Sequence, residues 1–526
     1  MRPAEGLLAN PPVHLPASYL AVQEDAFQKG LIALKENRLQ TALDEFATAE
    51  RERPDNALAR NFRGIVLARL GRNIEAADEY REAIRIDPQM EAAYRNLGFL
   101  YWTEQQLDRA REELKHAVEL SPDDSFAHYY LGRVQLDAQL YVDAFAEFHQ
   151  SGMSLPDDPD FLIAAATGYL AIGQQEEARK IINRLAIQPL SAVQDLRIAS
   201  LLLAVHENDT AIHLLEQLSN TTPHDRASGV NFDLALAYLL AGRYQQAIDQ
   251  AQPCTDAVHQ ASAPSRAAQA WSLIGIAYAR LGNAELAVNA LRHAAILAPT
   301  QEEHWLNLTR ELMELSQYAN AISATHEGLT FNPKSYSLNL RLGAANLAAG
   351  HYDEAGEVFR TLVAAGDPLP TSYIGLAQVL LRTGHAEEAV TELADARKKL
   401  GPSFLISYFQ GLALDRTGKL LEAISAFQEA VQQNPDSAEA HLGLGKTELV
   451  QGRVSDAIVQ LEEALRLSPG NVQALRLLSQ AYRRAGEKKS SAKYAEAPAA
   501  APVANGDLVG DFLLPPWQNP QVKNIP

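Results

Sequence analysis

Cysteine is nearly missing. Cys254 stands alone among 526 residues, so no intrachain disulfide can form. That fits a reducing compartment without demanding one. Positive charge is also short, with 46 Lys and Arg against 65 Asp and Glu and a net charge of −19. Phosphate backbones call for a Lys/Arg surface, so this balance argues against a nucleic-acid binder. The charge reads as a solubility device, compatible with a basic peptide partner. Aromatic residues make up 7%. Ala and Leu dominate and no β-rich alternating runs occur, so the chain reads as all-α. No apolar run approaches the roughly 18 residues of a membrane-spanning helix. The opening MRPAEGLLANPPVHLPASYLAVQ carries Arg2 but no unbroken apolar stretch of signal-peptide type. The expectation is a cytoplasmic chain as written, or a periplasmic or secreted one if a signal lies upstream of Met1.

Catalytic patterns are lacking too. The 14 histidines form no HExxH or Cys/His ligand set. No Gly-x-Ser-x-Gly elbow occurs, and Cys254 has no obvious base beside it. One pattern does appear: AHLGLGKT, from Ala440 to Thr447, fits a relaxed phosphate-binding loop with Ala in place of the first Gly. That chemistry needs a loop after a buried strand and before a helix. Here the segment falls inside a predicted helix with no strand before it, so it reads as coincidence. No enzyme activity, cofactor or metal is expected.

What the chain has is repetition. From Ala268 to Thr300, Trp271, Ile274, Gly275 and Tyr278 share one helical face, and Gly282-Asn283 breaks the pattern. Ala287, Leu291 and Ala294 mark a second helix, which Pro299 stops. One such hairpin cannot bury its apolar faces alone and needs neighbours of its own kind. They recur at about 34 residues. Gly30, Ala42, Phe46, Ala49 and Pro54 make the first copy; Gly64, Gly71, Ala76, Tyr80, Ala83 and Pro88 make the second. Tyr94, Leu97, Gly98, Tyr101, Ala110, Ala117 and Pro122 form the third, and Leu131, Gly132, Ala144, Phe148 and Pro156 the fourth. Copies five to seven are weaker, and the sixth lacks a turn glycine. After QPCTDAVHQASAPSR the register resumes, down to Gly445, Gly452, Ala457, Ala464 and Pro469 in the thirteenth copy.

This series resembles the tetratricopeptide repeat (TPR) family, whose Trp–Leu–Gly–Tyr–Ala–Phe–Ala–Pro signature has the same order and spacing. The resemblance implies an all-α, right-handed superhelical solenoid of antiparallel helix hairpins, about thirteen copies and a capping helix. The expected organisation is an irregular lead-in over 1–22, a first repeat block over 23–251, and an insertion or hinge over 252–266. A second block with the cap follows over 267–492, then an Ala/Pro-rich flexible tail over 493–526. Bending is expected at copies five to seven and at the insertion.

In that family the first helix of each repeat lines the concave surface. Carried onto copies three and four, the ligand-facing places include Arg95, Phe99, Trp102, Phe126, Tyr129 and Arg133. Aromatic and Arg side chains are the types that most often carry binding energy. The expectation is that the guanidinium groups take a carboxylate or carbonyl while the rings hold apolar side chains. Packing against neighbouring helices is the competing use. Arg310, Arg382, Tyr408 and Arg416 occupy comparable places in the second half. An Asn after the first repeat's glycine, used by chaperone-peptide clamps, is replaced by Leu31. The resemblance thus implies a non-enzymatic scaffold binding a protein or peptide segment. The alternatives are an assembly factor of a bacterial envelope complex and an accessory subunit presenting a substrate to a separate enzyme. The tail segment from Phe512 to Trp517 is a candidate peptide for intramolecular docking.

Overall fold

A computed structural model describes residues 26–188, 190–221, 227–256, 263–366 and 369–495. Among them lie twenty-eight α-helices, one 3-10 turn and no strand. The lead-in, part of the insertion and the tail from Phe512 to Trp517 fall outside the described residues.

The chain divides into two compact units, Met1–Ala241 and Gly242–Pro526. The first holds six hairpins, from Ala26–Lys35 with Leu39–Glu52 to Ala192–Ala204 with Asn208–Thr221, followed by the helix Ala227–Leu240. The second opens with the short helix Tyr244–Ala251 and continues through seven hairpins. The division at Ala241/Gly242 precedes the expected insertion. Gln252–Thr255 is a 3-10 turn, and Pro264–Arg266 already belong to the 17-residue helix Pro264–Arg280. Proline at the helix start supplies the right φ and lacks only an N–H that would be unpaired there.

Small residues decide how the hairpins close. A Cβ built on Gly64 would lie 2.6 Å from the Tyr80 ring, and one on Gly275 would lie 2.6 Å from Leu291 Cγ. In both hairpins a glycine of the first helix thus admits a large side chain from the second. The turn between the two helices imposes a second demand, one residue with a left-handed backbone. Glycine supplies it at Gly71, Gly173, Gly282, Gly350, Gly384, Gly418, Gly452 and Gly486. In the hairpins without glycine at this place, Asn37, Gln105, Gln139, His206 and Ser316 adopt φ of 56° to 63° instead. The missing turn glycine of the sixth copy is therefore His206, bent into the same conformation.

A recurring tie joins copies end to end. Trp305 Nε1 donates to the carbonyl of Pro299, six residues back, at 3.0 Å. His128 and His441 place Nε2 against the carbonyls of Pro122 and Pro435 at 2.9 and 3.0 Å. In these three copies different side chains thus fix how the first helix leaves the preceding Pro turn.

The C-terminal end differs from expectation. The polar EKKSSAK stretch does not trail away from a lone cap. It enters the helix Lys488–Ala495, which packs against Val472–Arg484 as a further hairpin. Tyr482 and Tyr494 stack at 5.9 Å, and Ser479 Oγ donates to the Ser491 carbonyl at 2.9 Å.

Within each unit, successive first helices pack against one another as well as against their own second helices. That layer is the one from which the candidate residues project.

Candidate functional site

The six candidate residues lie on the first helices Glu91–Thr103 and Ser125–Asp137 of the third and fourth copies. Four of them, Phe99, Trp102, Tyr129 and Arg133, form one connected group, reached partly through residues the sequence reading passed over. Phe99 meets Tyr130 edge-on at 4.9 Å and Trp102 at 5.8 Å. Tyr130 lies 5.5 Å from Tyr129. Burial, and then the neighbouring Tyr129, push the Tyr130 hydroxyl pKa up. The Arg133 guanidinium sits between two rings, 5.0 Å from the centre of Trp102 and 4.6 Å from that of Phe161. Its Nη1 donates to Tyr129 Oη at 3.2 Å. Cation–π contacts of this kind hold a charged fork in place while leaving its hydrogen-bonding edge usable.

The two arginines have different employment. Arg95 donates to Asp124 Oδ2. The other oxygen of that carboxylate accepts from the backbone N–H groups of Phe126 and Ala127 at 2.9 and 3.1 Å, capping the helix. Arg95 is therefore a fastener between the third and fourth copies, the packing use that the sequence sets beside ligand binding. Arg133 has no ion pair among the described residues. Trp102 is likewise committed, for its Nε1 donates to Asp137 Oδ2 at 2.7 Å. Phe126 is half-buried, and among the described residues no ring pairing joins it to the others. Packing thus claims Arg95 and Trp102, while Phe126, Phe99 and Arg133 keep partial exposure.

In the second unit Tyr408 is not at the surface. It is fully buried against Phe409 and Phe427, with ring centres 5.4 and 6.0 Å away. Arg310 is half-buried and donates to Asn307 Oδ1 at 3.1 Å. The AHLGLGKT segment lies within the helix Ala438–Gln451. Lys446 Nζ and Thr447 Oγ1 both bind the Asp415 carboxylate, at 2.9 and 3.1 Å. The two groups a phosphate would need are engaged by one carboxylate of the preceding copy.

Asp124 and Asp137, with Tyr130 and Phe161, are the residues sequence reasoning missed. Asp124 stands in SPDDS, where it reads as a local helix cap. Asp137 follows Trp102 by one repeat plus one residue, a spacing visible only when neighbouring first helices are laid side by side.

Family models for the tetratricopeptide repeat match residues 27–91, 67–133, 196–252, 268–301, 306–370, 374–438, 410–471 and 442–505, well over half the chain. The chain belongs to the tetratricopeptide repeat family. Bovine BBSome complex member BBS4 is 22% identical to this TPR chain over 348 residues, 66% of this chain and 58% of that protein. Arabidopsis thaliana protein CTR9 homolog is 23% identical over 480 residues, 86% of this chain and 43% of that one. The peroxisomal targeting signal receptor of Komagataella phaffii is 36% identical over 129 residues, 23% and 22% of the two chains. The chain thus spans less than two thirds of the length of each of these relatives. Among solved structures, yeast Tom70 matches at 15% identity and a TM-score of 0.38, covering 82% of this chain and 96% of that one. Cut9-Hcn1 of the APC/C matches at 16% and 0.35, covering 88% and 97%.

Proposed function

We propose that this TPR chain is a non-enzymatic scaffold that holds a segment of another protein against its first-helix layer, with Phe99, Phe126 and Arg133 as the contact residues of the first unit. The observation that supports this most is Arg133, a half-buried guanidinium held between Trp102 and Phe161 and lacking an ion pair among the described residues. A carboxylate or backbone carbonyl of a bound segment would complete its hydrogen bonding. Phe99 and Phe126 would cover the apolar side chains beside it. The resident fasteners Arg95–Asp124 and Trp102–Asp137 would keep the surface rigid, so little ordering cost falls on binding. Affinity capture from lysate of the source cell tests the proposal with wild type, Arg133→Glu and Phe126→Ala, after circular dichroism has shown all three folded. The reading expects a protein captured by wild type and lost with both variants. Equal capture by all three contradicts it.

A further inference from the structure

Three arginines stand on one face of three consecutive first helices of the second unit. Arg280 ends the helix Pro264–Arg280, Arg310 lies in Glu302–Glu314, and Arg341 in Tyr336–Ala349. The small residues at the packing centres of these helices are Gly275, Thr309 and Gly343. Arg280 comes five residues after its centre, Arg310 one after, and Arg341 two before. At 3.6 residues per turn these places fall within about 60° of one another around the helix. The three helices pack side by side, so the guanidinium groups come within electrostatic reach. Burial lowers the pKa of Arg310, and Arg280 lowers it further. Burial lowers that of Arg341 to about 10, with Arg310 adding to the effect.

Several cations elsewhere in this layer are neutralised. Arg95 meets Asp124, Lys446 meets Asp415 at 2.9 Å, and Arg60 and Arg63 each reach Glu50 at 2.5 Å. The row differs. Neither Arg280 nor Arg310 closes an ion pair among the described residues, and Arg310 donates instead to the neutral amide of Asn307. Two carboxylates face the row, both from the middle helix. Glu314 is exposed, and Glu311 is buried. Burial, and then the Glu314 charge, push the Glu311 carboxyl pKa up. Like charges gathered at half-buried places are costly unless something counters them.

We propose that Arg280, Arg310 and Arg341 form an oxyanion site, which takes a carboxylate or phosphate group of a ligand between guanidinium forks. The site lies in the second unit, and its test is independent of the contact residues around Arg133. Titration calorimetry of the full chain with inorganic phosphate and, separately, with glutarate reads it directly. The row predicts binding of at least one anion to wild type. It also predicts roughly tenfold weaker binding in Arg310→Gln and in Arg280→Gln, the loss expected for one charge-assisted hydrogen bond. Arg280 is exposed, so Arg280→Gln keeps the test readable should Arg310→Gln fail to fold. Binding of phosphate but not glutarate assigns the site to a phosphorylated group, and binding of glutarate assigns it to carboxylates. Binding of neither anion to wild type overturns the proposal, and so does equal binding by wild type and the folded variants.

Discussion

Trp102 and Asp137 are joined across two copies by an indole N–H that donates to a carboxylate oxygen at 2.7 Å. Arg133 then lies over the same indole ring, 5.0 Å from its centre. The ring is thus fixed at its edge by an anion and covered on its face by a cation. Asp137→Ala removes the acceptor and leaves a partly buried indole N–H without its partner, a loss of about 1–3 kcal/mol. Chemical denaturation of Asp137→Ala, Trp102→Phe and the double variant checks this. The double variant should cost less than the sum of the single ones.

The turn residues make a second set of expectations. Gln139 holds φ at 60° without being glycine, and a left-handed backbone costs a side-chain-bearing residue about 1–2 kcal/mol. Gln139→Gly should therefore stabilise the first unit by up to about 1 kcal/mol, after the added unfolded-state freedom of glycine is subtracted. Gly418→Ala should destabilise the second unit by about 1 kcal/mol, since Gly418 sits at φ 77°. Thermal melting of the two variants gives opposite shifts if the turn sets the requirement.

The closing of each hairpin on a glycine predicts a larger penalty. Gly64→Ala would drive a methyl into the Tyr80 ring at 2.6 Å. The expected loss is about 1–3 kcal/mol, as for other overpacked cores. Hydrogen exchange should show it strongest in the helices Ala57–Arg69 and Asn73–Ile86.

Two buried groups give the second unit opposite pH responses. Burial pushes the Glu448 carboxyl up to about 7, with Asp456 adding to the effect. A raised carboxyl pKa means the folded state holds the proton more tightly. Its contribution is complete below about pH 4.5 and lost as pH rises through about 7. Glu448→Gln should then raise the melting temperature at pH 8 and leave it nearly unchanged at pH 4.5.

His304 behaves in the reverse sense. Burial lowers its pKa from 6.5 to about 4. The neutral ring is held between Ser272 Oγ at 2.8 Å and Gln301 Oε1 at 2.9 Å. Its contribution is complete above pH 6.5 and lost as pH falls through about 4. His304→Gln should flatten that part of the stability–pH profile, as read by melting between pH 4 and 6.5.

Much of this was legible in the sequence, and the failures share a cause. Gly64 with Tyr80 and Gly275 with Leu291 are readable because the repeat sets a fixed distance along the chain between a small residue and the large one that covers it. Asp124 was not, because a helix cap uses one carboxylate oxygen and gives no sign that the other reaches Arg95. Tyr408 fits the register of a surface residue, yet Phe409 and Phe427 offer it an apolar pocket that a position count does not register. The helix Lys488–Ala495 was hidden by composition. KKSSAKYA carries little apolar signal, and Tyr494 stacking on Tyr482 supplies part of its anchorage.

The most direct test of the central reading is site-specific photo-cross-linking in lysate of the source cell. A benzophenone amino acid would replace Phe126, on the first-helix layer, or Ile74, which is 81% exposed on the second helix Asn73–Ile86. A scaffold that holds a partner segment against its first helices predicts a discrete protein adduct from position 126, lost with Arg133→Glu, and none from position 74. Adducts from position 74 alone, or equal labelling from both positions, would contradict it.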